Sequence, residues 1–394
     1  MVAVVVPVYR QTLTDLERIS YRQLINVLGT FEIIIAAPEH LEMPKEIKGE
    51  KIRVEYFAKD FFQSVDSYSQ LMLSKVFYRR FIRYQYILIY QLDAFVFRNE
   101  LMHFCSMGYD YIGAPWISGF CEYTNLKRKV LYVGNGGFSL RKVEACLDVL
   151  ERRQDLLNLY QGRNEDAFYS ACGGEDFKVA PREVALAFSF EREVRLCFEE
   201  NHKILPFGCH AWERYDLGFW REYIEKFGYE LDMQAINDGA DDQHNKAEYL
   251  WMKKNTALME NDRLFYEIPS KVRKLFQSNK EESYYLWGAG YVGRYACSLF
   301  SDLGMKILGF VDTDVNRQGT YINEFMVYNP KFLEKQSKVI VSVNWLYNSD
   351  VEKVLNSLGF TYLQQYIFFE DILPEVGEHA GFDYYGVPEC CKNN

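Results

Sequence analysis

The stretch Gln91-Leu92-Asp93 interrupts the apolar run 86–97 with two polar side chains two positions apart. Alternation along a strand would place both on one face, where a carboxylate beside a neutral oxygen can hold a divalent metal or a sugar hydroxyl. The plainer alternative is a strand end that leaves the core and turns polar. Glycines gather at Gly134-Asn135-Gly136-Gly137, either as a tight turn or to bring backbone close to a ligand ring, where a side chain would collide. Downstream stand the acidic pair Glu165 and Asp166, and His210 in the setting Gly208-Cys209-His210-Ala211-Trp212. His210 reads either as an ordinary core histidine or as a ligand. Pro7-Val8-Tyr9 closes the first apolar run, at the kind of strand end where open α/β sheets bind ligands. Tyr9 can stack on a nucleotide base there, while Pro7 can equally mark the strand end and nothing more. Ser67 lies near the start of a helical pattern, as a cap and a neighbour of an anion site.

A second constellation lies far downstream. Gly288-Ala289-Gly290-Tyr291-Val292-Gly293 follows the apolar Tyr284-Tyr285-Leu286-Trp287 and precedes a helical pattern, and Phe310-Val311-Asp312 ends the next apolar run. An acid about twenty residues after a strand-turn-helix glycine motif is the arithmetic of a dinucleotide fingerprint. Gly288, Gly290 and Gly293 would give the tight turn and close phosphate approach, and Asp312 would take ribose hydroxyls. S-adenosylmethionine proteins share this spacing, and a retained fold used for packing or dimerisation explains it without a ligand.

These residues need elements to hold them. Val2–Tyr9, Phe31–Ala37 and Ile52–Phe57 are short β-branched or aromatic runs, and 14–28 and 67–84 carry apolar residues at helical spacing. This is the βαβ rhythm of a mostly parallel sheet, with helices on both faces. The run 86–97 is apolar on both sides until Gln91, so both faces are expected to be covered. Between 109 and 212 the pattern is irregular, as in segments that wrap a site. From 231 to 282 it is polar and acidic, then helical at 246–259 and 270–277, and reads as a connector. A compact α/β module follows: strand 284–287, helix 291–303, strand 307–312, helix 330–335, strand 339–343 and helix 350–358. The expected domains are therefore 1–230, a helical connector at 231–282 and an α/β domain at 283–394, whose extreme tail is frayed.

Composition narrows the class. A chain of 394 residues with 48% hydrophobic and 25% charged residues folds as two or three ordinary domains. A net charge of −10 is the wrong sign for coating nucleic acid. Nine scattered cysteines without a CxxC pair fit reduced thiols in a cytoplasmic protein better than a disulfide frame or zinc ribbon. No apolar stretch approaches the roughly 18 residues of a membrane span, and the start has no basic segment ahead of a long apolar one. A peripheral contact with a membrane stays open.

The first four motifs, in their order along the chain, resemble the GT-A glycosyltransferase superfamily. They are most similar to an uncharacterised bacterial GT-A-like family whose strand reads Tyr-Gln-x-Asp and whose later motif reads Gly-Asn-Gly-Gly-Phe-Ser-Leu-Arg. The resemblance to polypeptide GalNAc-transferases and β-1,4-galactosyltransferases is more distant. It covers about residues 1–215. It implies a nucleotide-sugar donor, a glycan, lipid-linked or protein acceptor, and a role in bacterial surface polysaccharide or glycoconjugate synthesis. Asp93 matches the last acid of the DxD motif, and Gln91 stands where the first acid belongs. The resemblance makes Gln91, Asp93, Asn135, Gly136 and Gly137 donor-binding residues. Asp166, beside Glu165, matches the base of inverting members. His210 matches the late histidine that, with Asp93, binds manganese or magnesium; Gln91 weakens that metal expectation. The downstream module resembles Rossmann-like sugar-nucleotide-binding modules of sugar acyltransferases and methyltransferases, which implies a nucleotide there. The alternatives are a nucleotide-dependent oxidoreductase or sugar-modifying enzyme centred on that module, and a non-catalytic sugar-nucleotide-binding protein.

Overall fold

The structure, a computed structural model, describes residues 1–47, 52–124, 127–160, 164–231 and 242–376. The chain divides into two compact α/β units, Met1–Phe120 with Leu131–Asn245, and Cys121–Val130 with Lys246–Gly377.

Up to residue 231 the strands are β1 (Val2–Pro7), β2 (Glu32–Pro38), β3 (Ile52–Phe57), β4 (Tyr86–Tyr90), β5 (Phe95–Val96), β6 (Tyr111–Ile112), β7 (Ala114–Thr124), β8 (Lys127–Gly134), β9 (Phe138–Lys142), β10 (Ser189–Phe190) and β11 (Gly208–Cys209), all in the first unit except the stretch Cys121–Val130 of β7 and β8. The main sheet runs β3-β2-β1-β4-β9-β6. Its first four strands are parallel, and β9 runs antiparallel to both β4 and β6. Successive residues of β1 alternate between two cores, Ala3 and Val5 in one, Val4 and Val6 in the other. Ile87 and Ile89 of β4 face the first core, Leu88 and Tyr90 the second, so the sheet is covered on both faces as its unbroken apolar runs require. Helix Asp15–Leu28 starts on a Thr14–Glu17 capping box and buries Leu24 and Leu28 against the second face.

Two expectations are corrected. The run 86–97 is not one strand: β4 stops at Tyr90, the Ala94 N–H donates to Gln91 O in a turn, and β5 joins a different sheet. Gln91 and Asp93 therefore meet through a turn, not through strand alternation. The pattern 67–84 is two helices, Val65–Met72 and Lys75–Arg79, because the Ser74 side chain caps a fresh start at the Val76 N–H. Ser64 is the cap of the first, and Ser67 closes the box by accepting from the Ser64 N–H at 2.9 Å.

The second unit begins with helices Asp242–Glu260 and Asp262–Leu275, then β12 (Ser283–Trp287), helix Tyr291–Asp302, β13 (Lys306–Val311), β14 (Tyr321–Ile322), β15 (Phe325–Tyr328), β16 (Lys338–Val341), helix Asn348–Ser357 and β17 (Tyr366–Phe368). Its sheet order is β14-β15-β13-β12-β16-β17, parallel except for β14. The helices of the expected connector pack into this unit, where Leu258, Phe265, Ile268 and Val272 share a core with Leu286, Leu299 and Phe300. The expected helix 330–335 is a single 3-10 turn, Pro330–Phe332. The expected frayed tail lies outside the described residues. Among the described residues, no helix is long and apolar enough to cross a membrane.

Candidate active site

In the first unit the strand order reverses beside β1, with β2 on one side and β4 on the other. Open parallel sheets bind ligands in the crevice at such a switch point, outside the carboxyl ends of the strands. Pro7 ends β1 there, and Tyr9 follows it, half-exposed, with the Arg10 guanidinium 5.0 Å from its ring. At the end of β4 the Gln91 N–H donates to Gly137 O at 2.8 Å, which ties the Gln91–Asp93 turn to the glycine-rich segment between β8 and β9.

A small sheet, β10-β11-β5, supplies the rest. Phe190 pairs with Cys209 and Cys209 with Phe95, so the residues just beyond these pairs, Glu191, His210 and the Asp93 turn, come out at the same edge. His210 Nδ1 meets Glu191 Oε1 at 2.9 Å. Its Nε2 hydrogen-bonds Gln91 Oε1 at 3.2 Å and lies 3.1 Å from Asp93 Oδ1. Burial works against a charged imidazole, but Asp93 and Glu191 outweigh it and hold His210 well above its ordinary value. Burial likewise opposes the Asp93 carboxylate, and His210 still keeps Asp93 below its usual range.

The glycine-rich turn is fastened from several sides. Asn135 adopts φ +73°, its Oδ1 accepts from the Gly137 N–H at 2.9 Å, and its carbonyl accepts from the Tyr111 hydroxyl at 2.7 Å. A Cβ on Gly136 would stand 1.8 Å from Glu165 Oε1, and one on Gly137 would stand 1.9 Å from His210 Nε2. The close approaches these glycines permit are therefore to the protein's own side chains. Arg141, fully buried, reaches Gly136 O and Glu165 Oε1 at 3.3 Å each and the Tyr78 hydroxyl at 3.0 Å. Ser69 Oγ donates to the other oxygen of Glu165 at 3.1 Å. Asp166 Oδ2 accepts from the Asn135 N–H at 3.1 Å, and Oδ1 from the Ala167 N–H at 2.8 Å. Burial, with Glu165 and Glu191 adding to it, pushes Asp166 up to about 7.

Asn135 Nδ2 is buried with no hydrogen-bond partner, and the partner of Asp93 Oδ1 is His210 Nε2 alone. The buried Tyr68 hydroxyl meets Gln91, and burial, with Glu165 and Asp93 near it, pushes it up. Among the described residues no three His, Cys, Asp or Glu side chains gather as a metal-holding group; Asp93 and His210 have Gln91 as their third donor. Sequence reasoning did not single out Glu191, Tyr68 or Arg141. Arg141 closes the quoted Gly-Asn-Gly-Gly motif, and Glu191 directly follows the apolar Phe188-Ser189-Phe190, so each had a local signal.

In the second unit Gly288, Gly290 and Gly293 form the turn between β12 and its helix. Asp312, nearly buried, faces that turn: Oδ2 accepts from the Ala289 N–H at 2.8 Å and Oδ1 from the Asp314 N–H at 2.9 Å. Its carboxylate, expected to take ribose hydroxyls, is thus turned onto the backbone of the turn.

Residues 51–210 match a family described as a protein of unknown function (DUF5672). No curated protein matches the chain. Among solved structures, the chain is similar to the galactosyltransferase LgtC in complex with donor and acceptor sugar analogues. The two are 12% identical with a TM-score of 0.41, over 60% of this chain and 99% of that one. An active-site mutant of LgtC is 14% identical over the same shares, with a TM-score of 0.41.

Proposed function

We propose that the first unit is a glycosyltransferase that moves a sugar from a nucleotide sugar to an acceptor hydroxyl of a glycan, lipid-linked or protein acceptor, in bacterial surface polysaccharide or glycoconjugate assembly. One observation carries this reading. Around the switch-point crevice a buried donor, Asn135 Nδ2, has no partner, and Asp93 Oδ1 and the Tyr68 hydroxyl have only His210 and Gln91 beside them. An unsatisfied buried group costs about 1–3 kcal/mol, and sugar hydroxyls, which both donate and accept, answer the Asn135 amide and add to the bonds of the other two.

Asp166 supports the chemistry. As the acceptor oxygen forms its bond to the anomeric carbon, the bond from that carbon to the diphosphate oxygen breaks and takes its electron pair to the leaving group. The acceptor's proton goes to Asp166, whose carboxyl, at about 7, is poised to take it near neutral pH. Glu165, held by Arg141 and Ser69, keeps the Gly136 backbone in place beside it.

With its Nε2 proton displaced, His210 together with Asp93 and Gln91 would offer a divalent manganese or magnesium ion one nitrogen and two oxygens. Nε2 of His210 stands 3.1 Å from Asp93 Oδ1 and 3.2 Å from Gln91 Oε1, close to the roughly 3 Å between neighbouring ligands of a small cation. Glu191 on Nδ1 would orient the ring for it. When bound, the ion would neutralise the departing diphosphate.

The test is a thermal-shift and nucleotide-release screen of the full chain against UDP-, GDP-, CMP- and dTDP-sugars, with and without manganese. One nucleotide class should raise the melting temperature and be slowly hydrolysed, with both effects lost in Asp93→Ala. The reading falls if no class does either, or if Asp93→Ala responds as the wild type does.

A further inference from the structure

Gln91 and Asp93 both turn a side-chain oxygen to His210 Nε2, at 3.2 and 3.1 Å. The two are not equivalent. A carboxylate presents an oxygen whichever way it turns, whereas an amide has an oxygen at one end and an NH2 at the other, and only its partners decide which end faces where. A glutamine therefore needs an orienting neighbour where an acid would need none.

The backbone of Gln91 is fixed by its N–H, which donates to Gly137 O at 2.8 Å. The side chain is held at its oxygen end by His210 Nε2. That hold is conditional. It lasts while Nε2 carries an N–H, and a cation that takes Nε2 takes the hold away. A second hold, on the NH2 end, is then what keeps the oxygen turned inward.

Tyr68 stands where such a hold is needed. It lies on helix Val65–Met72, which is pinned along its length: the Ser64–Ser67 box fixes its start, Ser69 Oγ donates to Glu165 Oε2 at 3.1 Å, and the Tyr169 hydroxyl donates to Met72 O at 2.9 Å. The Tyr68 hydroxyl meets Gln91. Burial, with Glu165 adding to it, pushes that hydroxyl up, so it stays a neutral O–H; Gln91 acts against the rise, as an NH2 donating to the phenolic oxygen does. With Oε1 on His210, the NH2 is also the end that Gln91 has left for Tyr68.

We propose that Tyr68 is a positioning residue that holds the Gln91 amide by its NH2 end, and so keeps an oxygen rather than an N–H beside Asp93 and His210. The consequence, a divalent cation meeting that oxygen, rests on the glycosyltransferase reading given above. The orientation itself does not.

The test has two readouts. In the ligand-free full chain carrying isotope-labelled glutamine, nuclear Overhauser contacts should place the Gln91 NH2 protons closer to the Tyr68 ring than to the His210 ring. The reverse overturns the proposal whether or not any nucleotide sugar binds, which separates its failure from that of the glycosyltransferase reading. The second readout is calorimetry of the full chain with manganese alone. Tyr68→Phe should weaken manganese by about tenfold or more. In a Gln91→Glu background, where both side-chain oxygens are alike, the same change should cost less than about twofold. Equal losses in the two backgrounds, or no loss with Gln91 in place, overturn the proposal, because Tyr68 would then only pack. If manganese does not bind the wild type, the metal expectation falls and the Overhauser contacts alone decide the orientation.

Discussion

Both units place a glycine-rich turn beside a switch-point crevice, and in both a distant carboxylate grips a backbone N–H of that turn: Asp166 holds Asn135, and Asp312 holds Ala289. They differ in what occupies the room the glycines make. In the first unit it is filled by protein, Glu165 against Gly136 and His210 against Gly137. In the second, Gly288 and Gly293 make room for backbone and Val343, while Gly290 opens onto a cavity and Arg317. A glycine's place in a motif does not say for whom it makes way; the atoms its missing Cβ would meet do.

The sharpest way to break this comparison is at the two carboxylates. If Asp166 is a base as well as a fastener, Asp166→Asn should bind donor nearly normally and lower kcat by about 10² to 10⁴. The wild-type kcat should rise with pH through about 7 and level off as Asp166 ionises, and this limb should vanish in the variant. Stability carries a matching sign. A carboxyl raised in the folded state keeps a proton that the unfolded chain has already lost, so it makes stability fall as pH rises from the ordinary carboxylate range through about 7. Urea unfolding across that window should show the slope in wild type and not in Asp166→Asn. A fastener alone, like Asp312, would leave the kcat limb in place.

The next effect tests how firmly the first turn is locked. Arg141→Ala leaves Glu165 buried without its cation and should cost about 3–5 kcal/mol in denaturant unfolding. Adding Glu165→Ala should restore part of that loss, because the unpaired charge goes with it. A cost below about 1 kcal/mol for Arg141→Ala would mean that the turn does not depend on the ion pair.

How much of this was readable beforehand follows from the range of each signal. Apolar runs such as Val2–Val6 and Ile33–Ala37 announce parallel strands because burial on both faces leaves no polar position in them. The Asp93 motif was visible as a break in such a run. The way Asp93 meets Gln91 was not, because the break is a turn between two sheets and β5, β10 and β11 are two residues each, too short for periodicity to register. Glu191 reaches His210 only through that small sheet, a pairing without local signature. Gly288 to Asp312 was legible as strand, turn, helix and acid. The side that Asp312 faces depends on the Ala289 N–H, 23 residues away, and spacing carries no such information.

The smallest expected effect separates the two turns most cleanly. Gly137→Ala forces a methyl group to within 1.9 Å of His210 Nε2, so the ring or the turn must move, at a cost of about 1–3 kcal/mol. Gly290→Ala meets nothing closer than 3.5 Å and keeps an allowed backbone. Two modest terms then oppose each other: alanine restricts the unfolded chain, a gain of about 0.4–1 kcal/mol, and it is a poorer helix cap than glycine by a similar amount. The net change in unfolding free energy should stay within about 0.5 kcal/mol. If Gly290→Ala instead costs as much as Gly137→Ala, the space in front of Arg317 is needed by the protein's own packing, and both turns are closed by the same means.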